Sequence, residues 1–324
     1  MTNIIMAPLE GVTDRTFRSC YYDHFSGLSA SVTPFLPIPD RVKRVSPATL
    51  RMTALPGETR VPEIPQLLVS ESSAFITAAR ALEAAGFTEL NWNLGCPSRG
   101  VVRKGKGAGL LPDTEGILNI LDKAFSCLDI KISMKIRLGM DNREESFRLL
   151  PELKGFPLAG LTLHPRLGKQ MYSGSVDLEG FDKALELYGK PICYNGDIRT
   201  VRDYADLKKK FPGQECWMIG RGLMADPLLP RKILEYDETG RAEDGEGHPL
   251  GNNNFRIFIE DLLERMKRQF SRETALLNYL KGIIVYTFNT TPMPADYRHR
   301  LVRLKNLEEW ELFKNEIYGY LDSQ

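Results

Sequence analysis

Cys96 is the residue of this chain best placed to do chemistry. It stands in Asn-Trp-Asn-Leu-Gly-Cys-Pro (91–97), where an apolar run breaks into a turn, and a loop carrying Arg99, Arg103, Lys104 and Lys106 follows. A free cysteine is most often a small buried hydrophobe, and that description suits Cys20, Cys127, Cys193 and Cys216. A thiol in a polar loop can serve instead as nucleophile, metal ligand or acid, with a pKa near ~8.5 that cationic neighbours would lower. Metal binding lacks partners: there are four histidines and no Cys-x-x-Cys pair, so no metal is expected and acid or nucleophile remain. Further polar groups recur at or just past the ends of short apolar runs: Glu10, Gln66, Asn93, Lys135, Arg137, His164, Arg166, Asn195, Asp197 and Arg221. Asn195-Gly196-Asp197 and Gly220-Arg221-Gly222 would each pass alone as a turn. At the ends of adjacent strands they read together as a phosphate site, because glycines let backbone N–H groups approach an anion.

The elements that must position these groups alternate regularly. Apolar runs lie at 3–8, 28–33, 65–69, 88–93, 130–137, 158–164, 191–195 and 215–220, short and continuous enough to be strands buried on both faces. Helical spacing fills the gaps, as in 72–87 with Gly86 as a stop, 113–125 opened by Asp113, and 200–211 opened by Thr200. Eight strands alternating with helices predict an α/β fold, a (β/α)8 TIM-type barrel over 1–236, with a doubly wound open sheet as the alternative. A polar, glycine-rich linker follows at 237–254, and a small all-helical C-terminal domain at 255–324. In such a barrel every polar group named above falls at the carboxyl ends of the strands.

Composition narrows the class without naming a partner. With 324 residues, 42% hydrophobic and 26% charged, at net charge +1, the chain suits a globular protein whose nucleic-acid contacts are local patches. An odd, widely spaced set of five cysteines argues against a disulfide framework, and neither a signal peptide nor an 18-residue apolar run is visible. A cytoplasmic protein with no membrane contact is expected, as a monomer.

The set APLEGVTDRTFR (7–18), NLGCPS (93–98), MKIRLG (134–139), HPRLGKQMYSG (164–174), YNGDI (194–198) and MIGRG (218–222) resembles the tRNA-dihydrouridine synthase family, in the family's order over about the first 230 residues. The resemblance implies a tightly bound flavin mononucleotide (FMN), NADPH as reductant and a uridine in tRNA, in the D-loop, as substrate. Reduced flavin passes hydride to C6 of uracil, and the cysteine of NLGCP, here Cys96, protonates C5. Carried onto matching positions, Pro8, Gln66, Lys135 and His164 hold the flavin ring, and Asn195, Gly196, Asp197, Gly220, Arg221 and Gly222 hold its phosphate. Asn93 and Arg137, with Arg166 and Tyr172, face the uracil. The chain departs from the family at Leu9, where methionine is usual, and at His164-Pro165-Arg166-Leu167, where the family reads His-Gly-Arg-Thr. The helical tail is implied to bind tRNA. Basic candidates for that contact are Arg99 to Lys106, then Arg41, Lys43, Arg44 and Arg51, and Arg298, Arg300, Arg303 and Lys305. Two other classes compete: a flavin barrel reducing a free small molecule, such as a dihydroorotate or dihydropyrimidine oxidoreductase, and an RNA-binding protein on a decayed, flavin-free barrel.

Overall fold

The computed structural model describes residues 2–241, 248–288 and 294–323. Eight parallel strands close into a barrel in the order β1 to β8: Asn3–Met6, Ala30–Leu36, Glu63–Leu67, Glu89–Leu94, Lys131–Gly139, Gly160–Leu167, Cys193–Tyr194 and Cys216–Ile219. Each overlaps one of the eight apolar runs. Closure is made by β1 on β8, with Asn3 opposite Cys216 and Met6 opposite Ile219, so the open-sheet alternative is ruled out.

Strand periodicity sorts the side chains. On β4, Leu90, Trp92 and Leu94 face the helical jacket, where the Trp92 ring meets Phe75 edge-on at 5.3 Å. Asn91 and Asn93 point the other way. The barrel interior holds a small apolar cluster of Ala7, Val32, Cys193 and Met218, joined by Ile5, Ile64 and Cys216. At the carboxyl end the interior turns polar, with Gln66, Asn93, Lys135, Arg137 and His164 around one opening. The register places Asn93 beside Lys135 and Arg137 beside His164.

The helices start where local chemistry says they should. Asp113 accepts the Gly116 N–H at 2.9 Å, and Thr200 and Asp203 form a reciprocal capping box. Gly86, at φ +90°, ends the helix Ser72–Ala84. The helix Arg15–His24 is tied to β3 by a fully buried ion pair, Arg18 with Glu63 at 2.7 and 2.8 Å, and Glu63 also accepts Tyr22 O–H and Ala54 N–H.

Residues 242–247 of the expected linker lie outside the described residues. Before them the helix Leu229–Thr239 ends at Gly240 in the left-handed region, and a short 3-10 turn at Pro249–Gly251 leads into the tail. The tail comprises helices Asn253–Lys267, Glu273–Thr287, Ala295–Arg303 and Leu307–Asp322. Its first helix packs on Arg15–His24 through Phe258, whose ring lies 5.2 Å from Phe25 and 5.6 Å from Phe17. Beside that contact Asp261 binds His24 at 2.7 Å and Arg265 at 2.7 and 2.9 Å, with the Cys20 thiol at 3.6 Å. The second tail helix lies over the barrel mouth, where Tyr279 O–H donates to the Val12 carbonyl at 3.0 Å. No helix among the described residues is long and apolar enough to cross a membrane.

Glu63→Gln leaves the Arg18 guanidinium buried and unpaired. The variant is expected to lose about 3–5 kcal/mol of stability, measured by chemical denaturation; a loss below ~1 kcal/mol would show that the pair is dispensable.

Candidate active site

The Cys96 turn is built by one side chain. Asn93, the last inward residue of β4, accepts the N–H groups of Gly95 (3.0 Å) and Cys96 (2.9 Å) on its carboxamide oxygen. Its NH2 donates to Gln66 Oε1 at 2.7 Å. Gln66 donates onward to Asn91 at 2.8 Å, and Asn91 to Ser133 at 3.1 Å. Arg137 holds the turn from β5 through Nε to the Gly95 carbonyl (3.0 Å), and its NH1 reaches the Leu167 carbonyl (2.9 Å). Behind the turn, Ala108 N–H donates to the Cys96 carbonyl at 3.0 Å. Gly107 sits at φ +57°, where an added Cβ would lie 2.6 Å from that same oxygen, so only glycine fits. The long connection after β4 is thus a folded support for Cys96, with short helical turns at Arg99–Val102 and Gly107–Leu110.

Cys96 lines a solvent-open cleft at the carboxyl ends of the strands, the place where barrels of this kind bind their ligands. Of the expected site residues, Pro8, Gln66, Asn93, Lys135, Arg137, His164, Tyr172, Asn195, Gly196, Asp197, Gly220, Arg221 and Gly222 line it with Cys96. Arg166 does not. Its side chain is 1% exposed and donates to Asp197 (2.5 Å), the Gly174 carbonyl (2.6 Å) and His164 Nε2 (3.2 Å). Arg166 therefore positions its neighbours from behind the cleft wall. Asn93 and Asn195 line the cleft, yet both spend their amides on the scaffold, Asn195 donating to the Met218 carbonyl at 2.8 Å.

The glycine segments have packing duties as well. A Cβ on Gly222 would lie 2.0 Å from the Ile198 carbonyl oxygen, and one on Gly196 would lie 2.8 Å from Val176. Asp197, at φ +45°, takes Arg166 and Arg221 (2.7 Å), with Arg199 at 3.7 Å. One carboxylate thus meets three guanidinium groups, which leaves that end of the cleft positive.

Charge and burial set the protonation states. Burial pushes the Cys96 thiol up, Glu10 adds to that, and the Ser98 N–H, Arg137 and Lys135 only partly oppose it. The basic side chains Arg99, Arg103 and Lys104 are exposed, and the cations that lower the thiol are Arg137 and Lys135 of β5. The thiol keeps its proton at neutral pH, as an acid must. Burial, reinforced by Arg137, pulls Lys135 down to about 7, and among the described residues no carboxylate pairs with it. Burial and the surrounding cations hold His164 well below the usual histidine range. Because Arg166 has only donors, His164 Nε2 is the acceptor and the ring proton is on Nδ1. Burial lowers Arg137 to about 10, so it stays charged.

Among the lining groups that sequence reasoning passed over are Phe35, Arg199, Met171 and Tyr286. Arg199 stood two residues past the glycine segment and was within reach of a linear argument. Tyr286 comes from the second tail helix, and no local pattern ties it to the barrel mouth.

A lysine with a folded pKa of about 7 lies below its unfolded value near ~10.4. Between those values the unfolded chain binds more protons, so this group makes stability rise with pH across that window. The melting temperature of ligand-free wild type relative to Lys135→Met should climb by several degrees from about pH 7 to about pH 9.5. A flat difference would mean that Lys135 titrates normally.

The family model described as Dihydrouridine synthase (Dus) matches residues 5–317. tRNA-dihydrouridine synthase B of Yersinia pestis is 29% identical over 250 residues, covering 74% of each chain. The Escherichia coli K12 protein of the same name is 28% identical over 246 residues, covering 73% of each. Among solved structures, the old yellow enzyme homologue NCR of Zymomonas mobilis aligns at TM-score 0.52 and 12% identity, over 72% of this chain and 88% of that one. A likeness at that identity speaks for the barrel alone. The family match runs from the first strand into the last helix, and the chain belongs to the dihydrouridine synthase family.

Proposed function

We propose that the chain is a tRNA-dihydrouridine synthase that uses FMN and NADPH to reduce the C5=C6 bond of a tRNA uridine, with Cys96 as the acid. The observation that carries this reading is Cys96, its thiol kept protonated by burial and its backbone N–H held by Asn93, on the wall of a cleft whose far end is cationic.

The residues present fit a flavin mononucleotide. Lys135 is a half-buried cation on the cleft wall with no carboxylate partner among the described residues, suited to an electron-rich ring edge that gains negative charge. Gln66 and Pro8 line the same wall. Arg221 and the two glycine segments supply the positive charge and N–H groups a phosphate needs. When bound, reduced flavin supplies the hydride for C6. Protonation at C5 is the work of this chain. As negative charge develops at C5, the Cys96 S–H gives up its proton and is left a thiolate, which Arg137 and Lys135 stabilise. Solvent reaching the open cleft restores the proton. His164, held neutral, is a hydrogen-bond donor through Nδ1 and adds no further positive charge. Arg137 and Tyr172, with the guanidinium 5.5 Å from the ring centre, line the cleft beside Cys96 and are the side chains assigned to the uracil in this reading.

The tail, 255–324, is the part expected to hold the tRNA. Not every basic candidate is free to do so. Lys106 is buried against Asp40, and Arg300 is paired with Glu316 and Asp296. Arg298, Arg303 and Lys305 in the tail, and Arg41, Lys43, Arg44, Arg99, Arg103 and Lys104 around the mouth, are exposed and remain the groups for backbone phosphates.

Cys96→Ala should purify yellow, take up hydride from NADPH, and form dihydrouridine in unmodified tRNA about 10²–10⁴-fold more slowly. Wild-type turnover by that variant would end the acid assignment. Dihydrouridine formation by the wild type on free uridine as fast as on tRNA would favour the small-molecule reading.

A further inference from the structure

The cleft opens outward into a wider hollow of about 1430 Å³, open solvent included, which shares Cys96, Tyr172, Arg199 and Arg221 with the cleft and adds Val12, Met171 and Tyr286. It begins at Cys96 and Pro97, so its contents are continuous with whatever is reduced. Its outer wall is Tyr286, on the tail helix Glu273–Thr287, and its opposite wall is the loop after β6. That loop turns through Met171, a non-glycine residue at φ +53°, and leaves Met171 45% and Tyr172 48% exposed. Tyr172 is already engaged, lying over Arg221 at 4.6 Å and Arg137 at 5.5 Å. Tyr286 is half-buried, packed against the core on one side and lining the hollow on the other, and the Met171 thioether lines it from across, so an aromatic ring and an exposed apolar side chain flank the space. Arg199 stands at the rim, 43% exposed and only 3.7 Å from the crowded Asp197 carboxylate.

A flat apolar face beside a partly free guanidinium, next to a site for uracil, is the chemistry of a nucleotide. Bases stack on aromatic side chains without regard to identity, and arginine takes the phosphate. We propose that this hollow is a second nucleotide subsite, which receives the nucleotide adjacent to the target uridine, its base against Tyr286 and Met171 and its phosphate at Arg199. The proposal rests on the tRNA reading above. It gives the tail helix a direct part in substrate recognition: Tyr279 of that helix is bonded to the Val12 carbonyl, so Tyr286 is held at a fixed place relative to Cys96.

The test is steady-state kinetics of the flavin-loaded enzyme on unmodified tRNA. Tyr286→Ala should raise KM for tRNA roughly 5- to 150-fold, the range that corresponds to losing one stacked base. Tyr286→Phe should stay near wild type, and flavin content and KM for NADPH should hold in both. Arg199→Gln, a surface change that spares the packing, should also raise KM for tRNA and should lower the salt dependence of binding by about one phosphate contact. A Tyr286→Ala enzyme with wild-type KM for tRNA overturns the subsite. So does a rise confined to KM for NADPH, which would give the hollow to the reductant. A wild-type protein that forms no dihydrouridine sinks the tRNA reading itself; an active wild type with an insensitive Tyr286 sinks only the subsite.

Discussion

The site depends on the Asn93 carboxamide. Its oxygen takes both N–H groups of the Gly95–Cys96 turn and its nitrogen is bonded to Gln66, so the backbone that carries the thiol is set by a side chain locked inside the barrel. The lock extends across three strands through Gln66, Asn91 and Ser133. A chain of amides in a low-dielectric interior is stiff only if each member is satisfied, and here each donor passes to the next acceptor. Cys96 therefore behaves as part of the barrel although it stands in a loop, which is the precision a proton donor needs when it must meet one carbon of a planar ring.

Electrostatics around that thiol follow from a surplus of cations. Lys135, Arg137, Arg199 and Arg221 line one opening with Arg166 behind its wall, and Asp197 is the carboxylate that Arg166, Arg199 and Arg221 share. Such a cluster would be expected to ionise a nearby thiol, yet burial outweighs it at Cys96. Burial penalises every charged form, so it lowers Lys135 and His164 while it raises the thiol. The ligand-free site is thus poised: a cation held near its titration point awaits an anion, and an acid keeps its proton until charge develops beside it.

Much of this was legible in the linear chain because it rests on short-range rules. The eight strands show as apolar runs, and the helix starts show as Asp113 and Thr200. The cluster of polar residues at strand ends follows once alternation implies a barrel. What stayed hidden was pairing between distant segments. Arg166 and Tyr172 look alike as candidates in one loop, but Asp197, 31 positions on, draws Arg166 into the wall. Lys106 and Arg300 look like free surface charge until Asp40 and Glu316 are found against them. How near the basic loop comes to the Cys96 thiol stayed hidden too, because composition does not say which way a side chain points.

The tail makes sense as a consequence of an open barrel mouth. A base flipped from tRNA reaches the cleft with its neighbours still attached, so a wall is needed outside the site as well as within it. That wall cannot be supplied by strand ends, which are already occupied by the inner cleft. It is supplied by the helix Glu273–Thr287, bonded to the segment just after β1 through Tyr279 and Val12. Pro8 of the inner cleft and Val12 of the outer hollow lie four residues apart on that segment. One short stretch of backbone therefore carries both the proposed flavin contact and the anchor of the outer wall, and a shift of the tail would be felt at the reacting ring.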